Sequence, residues 1–217
     1  MSIDPLFVEI CIATLCLTTV GLHLAHKNRN EALLYAVQSL AVVALLAYPL
    51  FGHFSAALLA VAVLTLLVKV VAAPLFFMRL VRRHDIKLTA KTYANVPATI
   101  ALIVLILVLA GSGIFAPVTD IVPENRDFLK FALAAIFVSL LLMINRRGAL
   151  SQIVGVLSLE NAIVAFAVLA GLEQSAVLQA GIIFDITMWL VVAVTMVSLV
   201  YRHHGSLDIS KLKRLKG

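Results

Sequence analysis

The stretch VGVLSLENAIVAFAVLAG, residues 154–171, carries one charged side chain, Glu160, in eighteen positions. Apolar residues occupy every side of it, without the alternation of a half-buried strand or the single stripe of a soluble helix. The full apolar run, 149–171, makes a helix of about 34 Å at about 1.5 Å per residue, long enough to cross a hydrocarbon core of about 30 Å. Six more runs of this kind occupy 5–24, 32–51, 55–81, 96–115, 128–144 and 177–201. Backbone donors and acceptors find no water inside a bilayer, so such runs must be helices.

Composition points the same way: 63% of the 217 residues are hydrophobic, 13% are charged, and the mean hydropathy is +1.09. A soluble domain carries about a quarter charged residues. The expectation is an all-α fold, a polytopic membrane helical bundle of about seven transmembrane helices, forming a single domain over residues 1–217 and facing the lipid bilayer. The amino terminus lacks the basic start and small-residue cleavage site of a signal peptide, so the first run is expected to remain as a helix.

Lys and Arg near helix ends favour the cytoplasmic side. If the helices alternate, one side collects Lys27 and Arg29, then Arg79, Arg82, Arg83, Lys87 and Lys91, then Arg146 and Arg147, and finally the tail bases Arg202, Lys211, Lys213, Arg214 and Lys216. The other side has Arg126 and Lys130, within or beside the acidic segment 120–127. Fourteen bases against two put the amino terminus outside and the carboxyl tail in the cytoplasm. The net charge of +6 thus records topology, and no nucleic acid is needed to explain it.

Cys11 and Cys16 are five apart within the first run and match no metal or redox spacing. They read as small lipid- or helix-facing residues. There is no dinucleotide fingerprint, P-loop, iron–sulfur cysteine set, haem motif or hydrolase elbow. The chain is therefore expected to have no catalytic residues, cofactor or metal of its own, and any redox chemistry belongs to a partner.

Three ionisable groups remain well inside the runs: Lys69, Glu160 and Asp185. Each costs about 2.5 to 3.5 kcal/mol near a helix centre on insertion scales. Counted from the outer helix ends, they lie about 21, 16 and 12 Å deep. Lys69 has Thr65 one turn before it, and Pro74 cannot donate to the Val70 carbonyl, which predicts a bend beside the charge. Glu160 sits between Ser158 and Asn161, and Asp185 has Gly181 one turn earlier, where a helix or water comes close. These groups are either buried polar anchors or a proton or cation path, because loss of water penalises the charged form of amine and carboxyl alike. Glu9, the pair His23 and His26, and the pair His203 and His204 lie near span ends and read as interfacial. Gly111-Ser112-Gly113 reads as a helix terminator.

The segment VGVLSLENAIVAFAVLAG around Glu160, LQAGIIFDITMWLVV around Asp185 (178–192), LLVKVVAAPLF around Lys69 (66–76) and the tail YRHHGSLDISKLKRLKG (201–217) resemble the component E subunit of hydrogenase 4, the HyfE family. The last two spans and the tail are also similar to the NuoK subunit of respiratory complex I and its antiporter relative MrpC. The resemblance implies a non-catalytic membrane-arm subunit of a formate hydrogenlyase or other group 4 hydrogenase in the bacterial cytoplasmic (inner) membrane. It implies antiporter-like and other membrane subunits as partners, with Glu160 and Asp185 in the places of the two NuoK glutamates. Aspartate at position 185 departs from NuoK and shortens the reach of that carboxylate. The alternatives are a subunit of a multisubunit Na⁺/H⁺ antiporter and a purely structural membrane subunit. The charge bias makes a direct prediction: a phosphatase reporter, active only outside the cytoplasm, stays inactive when fused to the tail and is active when inserted after Asp120.

Overall fold

A dry medium and apolar side chains on every face leave the helix as the local solution, and every long element described is helical. The computed structural model describes residues 5–25, 27–51, 54–83 and 92–171, together with positions 184, 187, 191, 194, 195 and 198. Those single positions are helical, but most of the expected span 177–201, with Asp185, and all of the tail 201–217 lie outside the described residues.

In chain order the helices are α1 (Pro5–Leu24), α2 (Asn28–Ala47), α3 (Ala56–Thr65), α4 (Ala73–Arg83), α5 (Val96–Gly111), the short α6 (Ala116–Thr119), α7 (Arg126–Asn145) and α8 (Ala149–Leu169). A π-helical segment, Leu66–Ala72, joins α3 to α4, so that 56–83 is uninterrupted helix. Five helical stretches are long and apolar enough to cross a membrane, and α5 with Gly113–Thr119, bent by 52°, makes a sixth if counted as one span. Among the described residues there is no strand; Thr92 and Arg146 form an isolated bridge.

Local chemistry sets the boundaries. The Ser55 hydroxyl accepts the Leu58 N–H at 3.3 Å and the Asn95 side chain accepts that of Ala98 at 3.0 Å, each capping a helix start. Gly171 follows the end of α8 with φ of +63°, the left-handed conformation glycine adopts without penalty. Helix α2 begins at Asn28, ahead of the apolar run 32–51: Arg29 and Asn30 of its first turn are exposed, whereas Glu31 turns inward and is only 2% exposed.

Helices α1, α2, α7 and α8 share one interior, where Val8, Leu15, Val42, Leu129, Ala162 and Leu169 meet. The rod 56–83 leans on α2, and α5 lies against α7 with most of its apolar surface facing outward. Lipid tails are as apolar as leucine, so close approach and polar contacts hold such helices together. Close approach is most acute at Gly155 of α8, where a Cβ would come 2.8 Å from Met143 Cγ and 3.2 Å from Met143 N on α7.

A polar clasp closes the basic end of this core. Arg146, 1% exposed in the α7–α8 turn, donates to the carbonyls of Leu22, His23 (3.2 Å) and Ala25 (2.9 Å), which terminate α1. Those are carbonyls a helix C-terminus leaves without partners. Glu31 lies 3.4 Å from the guanidinium and receives the Ser151 hydroxyl, whose Oγ stands 3.1 and 2.9 Å from its two carboxylate oxygens. One buried ion pair thereby ties α1, α2, α7 and α8 together. At the opposite end, Arg126 pairs with Asp120 at 2.7 Å and Lys130 with Asp127 at 2.9 Å, so the two bases of that side are matched within their own segment. The packing predicts that Gly155→Leu, which drives a side chain into α7, lowers stability by about 1 to 3 kcal/mol. Thermal unfolding of the detergent-solubilised protein, followed by loss of helical circular dichroism, measures this.

Candidate functional site

Lys69 is placed by the π-helical segment. Pro74 has no N–H to donate backward, and the Ala73 N–H reaches the Val68 carbonyl, five residues earlier. The irregularity expected beside Pro74 therefore takes the form of a widened helix. Such segments recur at functional sites because they re-aim side chains within a continuous helix. Here the lysine side chain is 1% exposed and lies between α2 and α8. Thr65, noted on the same face, turns its hydroxyl to the Val61 carbonyl at 2.8 Å.

Lys69 Nζ donates to Asn161 Oδ1 at 2.9 Å and lies 3.9 Å from Glu160 Oε2. Two of the three charges expected inside the spans are thus brought together. The third, Asp185, lies outside the described residues. Lys69 is sealed in, whereas the Glu160 side chain is 23% exposed and opens on the flank of the bundle.

The lysine dictates the sense of a longer hydrogen-bond chain. An ammonium only donates, so it must face the carbonyl oxygen of Asn161, leaving that amide nitrogen to donate onward. Asn161 Nδ2 donates to Ser39 Oγ at 2.9 Å and to Gln38 Oε1 at 3.3 Å. The Gln38 amide is oriented in turn, and its Nε2 donates to Thr19 Oγ1 at 2.7 Å and Ser158 Oγ at 2.9 Å. Thr19 closes its branch on the Leu15 carbonyl at 2.7 Å, and Ser158 meets Ser139 at 2.9 Å. All six of these partners beyond the lysine are buried. One charge thus orders two amides and four hydroxyls across α1, α2, α7 and α8.

Sequence reasoning found Lys69 and Glu160 because a charge inside an apolar run stands out, and it noted Ser158 and Asn161 as neighbours. It missed Gln38, an uncharged amide in the middle of the run 32–51 and the hub of the chain; a mid-span Gln was the available signal. It also missed the Glu31–Arg146 pair, whose residues lie at span ends where charges are expected. His23, near the end of α1, is buried against neighbouring helices, and its Nε2 lies 3.0 Å from the Val138 carbonyl, which makes that nitrogen the donor. Glu9 is exposed on α1, and both cysteines are free thiols. Among the described residues no His, Cys, Asp or Glu cluster could hold a metal.

Comparison with known proteins finds two similarities. Residues 128–217 match the family described as NADH-ubiquinone/plastoquinone oxidoreductase chain 4L, a region that includes α7, α8 and Glu160. Over 184 residues the chain is 27% identical to hydrogenase-4 component E of Escherichia coli strain K12, covering 84% of this chain and 85% of that protein. The same figures hold for hydrogenase-4 component E of Escherichia coli O157:H7 and of Shigella flexneri. No solved structure matches the chain. The hydrogen-bond chain predicts that Asn161→Leu, which strands Lys69 and Gln38, destabilises the fold by about 1 to 3 kcal/mol for each unsatisfied group. A lowered midpoint in thermal unfolding, absent for the exposed control Ile163→Leu, is the check.

Proposed function

We propose that this chain is a non-catalytic membrane-arm subunit of a hydrogenase-type, complex I-like oxidoreductase, of the formate hydrogenlyase kind, and that Lys69, Glu160 and Asp185 belong to a transmembrane proton route. The observation that carries the proposal is the Lys69–Glu160 pair, 3.9 Å apart inside the bundle and opening on its flank through Glu160. The similarity to hydrogenase-4 component E over most of the chain supports the kind of assembly. In this reading the clasp end of the bundle faces the cytoplasm of a bacterium, and antiporter-like membrane subunits adjoin the chain.

The chemistry follows from charge in a poor dielectric. While Glu160 is ionised it balances Lys69, and the pair is neutral overall. A proton arriving on Glu160 removes that balance and leaves an isolated ammonium, a state that is strongly unfavourable away from water. Charge neutrality is restored when Lys69 gives up a proton or when an anion such as Asp185 comes near. Asn161 holds the lysine by a hydrogen bond in either case, so the amine stays in place while its charge changes. The pair therefore acts as a station that holds one proton with ease and releases a second.

Glu160→Gln keeps shape and hydrogen-bonding capacity but cannot carry the proton. In inverted membrane vesicles containing the assembled complex and driven by hydrogen oxidation, this variant is expected to lose proton translocation while its partner subunits still co-purify in normal yield. Normal pumping by both Glu160→Gln and Asp185→Asn overturns the proton-route assignment. Loss of the complex itself in both would favour the purely structural reading, in which the hydrogen-bond chain only cements the helices.

A further inference from the structure

The buried face of α2 carries more proton-bearing groups than the Lys69 station uses. Glu31, Tyr35 and Gln38 follow one another at spacings of four and three residues and so share one side of the helix, with Ser39 beside them. All four are buried, Tyr35 and Gln38 wholly so. This stripe leads from the clasp at the basic end to the hydrogen-bond chain around Asn161. Glu31 and Tyr35 are separated by one turn, about 6 Å of rise, and Tyr35 and Ser39 by another.

Chemistry separates the members of the stripe. Both N–H groups of Gln38 and both of Asn161 are committed as donors, and an amide exchanges no proton readily at neutral pH. A hydroxyl accepts a proton on one lone pair as it gives its own away. The Tyr35 hydroxyl is wholly buried and, among the described residues, makes no hydrogen bond of ordinary geometry. Ser39 stands one turn on along the same face and takes a hydrogen bond of 2.9 Å from Asn161, the neighbour of Glu160. A buried hydroxyl of this kind weakens a fold, so packing does not account for it.

We infer that Tyr35 is the proton-carrying link between the clasp end of the bundle, at Glu31, and the Lys69–Glu160 station. The inference rests on the proton route proposed above. In the step, Tyr35 passes its hydroxyl proton towards the Glu160 carboxylate and receives one from the Glu31 side across a bridging water, so one proton moves and the phenol is unchanged. Glu31 stands at the mouth of the route between the Arg146 guanidinium and the Ser151 hydroxyl, and takes up the proton that it hands on.

Tyr35→Phe is a clean test, because it removes the hydroxyl and keeps the ring. In inverted vesicles containing the assembled complex, proton flux per complex is expected to fall by about 100-fold, the lower end of what a positioned proton-transfer group contributes. Thermal stability should change little, since the ring that fills the site is kept. Glu160→Gln is measured in parallel. Full flux in Tyr35→Phe with lost flux in Glu160→Gln overturns the Tyr35 link alone, and full flux in both overturns the proton route with it. A drop in stability with normal flux per assembled complex assigns Tyr35 a structural role and also overturns the link. Should Tyr35→Phe fail to assemble, 3,5-difluorotyrosine at position 35 preserves shape while making the phenol more acidic. A shifted pH profile of flux is then the expected result, and an unchanged profile overturns the inference.

Discussion

A lysine in a dry interior must be supplied with acceptors, and the arrangement of the bundle around Lys69 answers that demand. Its side chain is 1% exposed, so water does not solvate the ammonium. A carboxylate at 3.9 Å balances the charge and an amide oxygen at 2.9 Å receives a hydrogen bond. Because the lysine only donates, it fixes the orientation of Asn161, which fixes that of Gln38, and so on to Thr19 and Ser139. Helices with no hydrophobic reason to prefer one another over lipid thus acquire a specific register. The atoms that hold this register are also those to which the proposal assigns a change of charge.

A polar chain and the proposed proton route coexist without contradiction. The amides supply orientation and exchange no protons, whereas the proposal assigns proton transfer to Glu160, Lys69 and Tyr35. Glu160 differs from the rest in standing partly open at the bundle flank. The sealed member anchors the site and the open member communicates with whatever adjoins it. The division of labour follows from the residue types and needs no large motion of the helices.

How much of this was legible in the sequence depended on contrast. Charges at positions 69 and 160 stood out against apolar surroundings, and the helices followed from run length and backbone chemistry. Pro74 announced an irregularity, but its π-helical form depends on how the carbonyls of neighbouring turns are satisfied, which the sequence does not specify. Gln38 and Tyr35 were hidden because neither carries a charge, so burial costs each far less than it costs Lys69 or Glu160 and neither stands out as demanding a partner. Glu31 and Arg146 were hidden for the opposite reason: bases and acids at span ends are the norm, and only three-dimensional closure turned these two inward. The burial of His23 was hidden in the same way, since proximity to a helix end says nothing about which face a neighbouring helix covers.

The clasp at Arg146 has a consequence for how the polypeptide comes together. Its guanidinium completes the end of α1, whose Leu22 carbonyl stands 124 residues earlier in the chain. Among the described residues nothing nearer in sequence supplies those bonds, so α1 enters the bilayer with that end still open. Only after the turn before α8 has been synthesised does it close. The order of synthesis therefore leaves the end of α1 waiting on an arginine made 124 residues after Leu22.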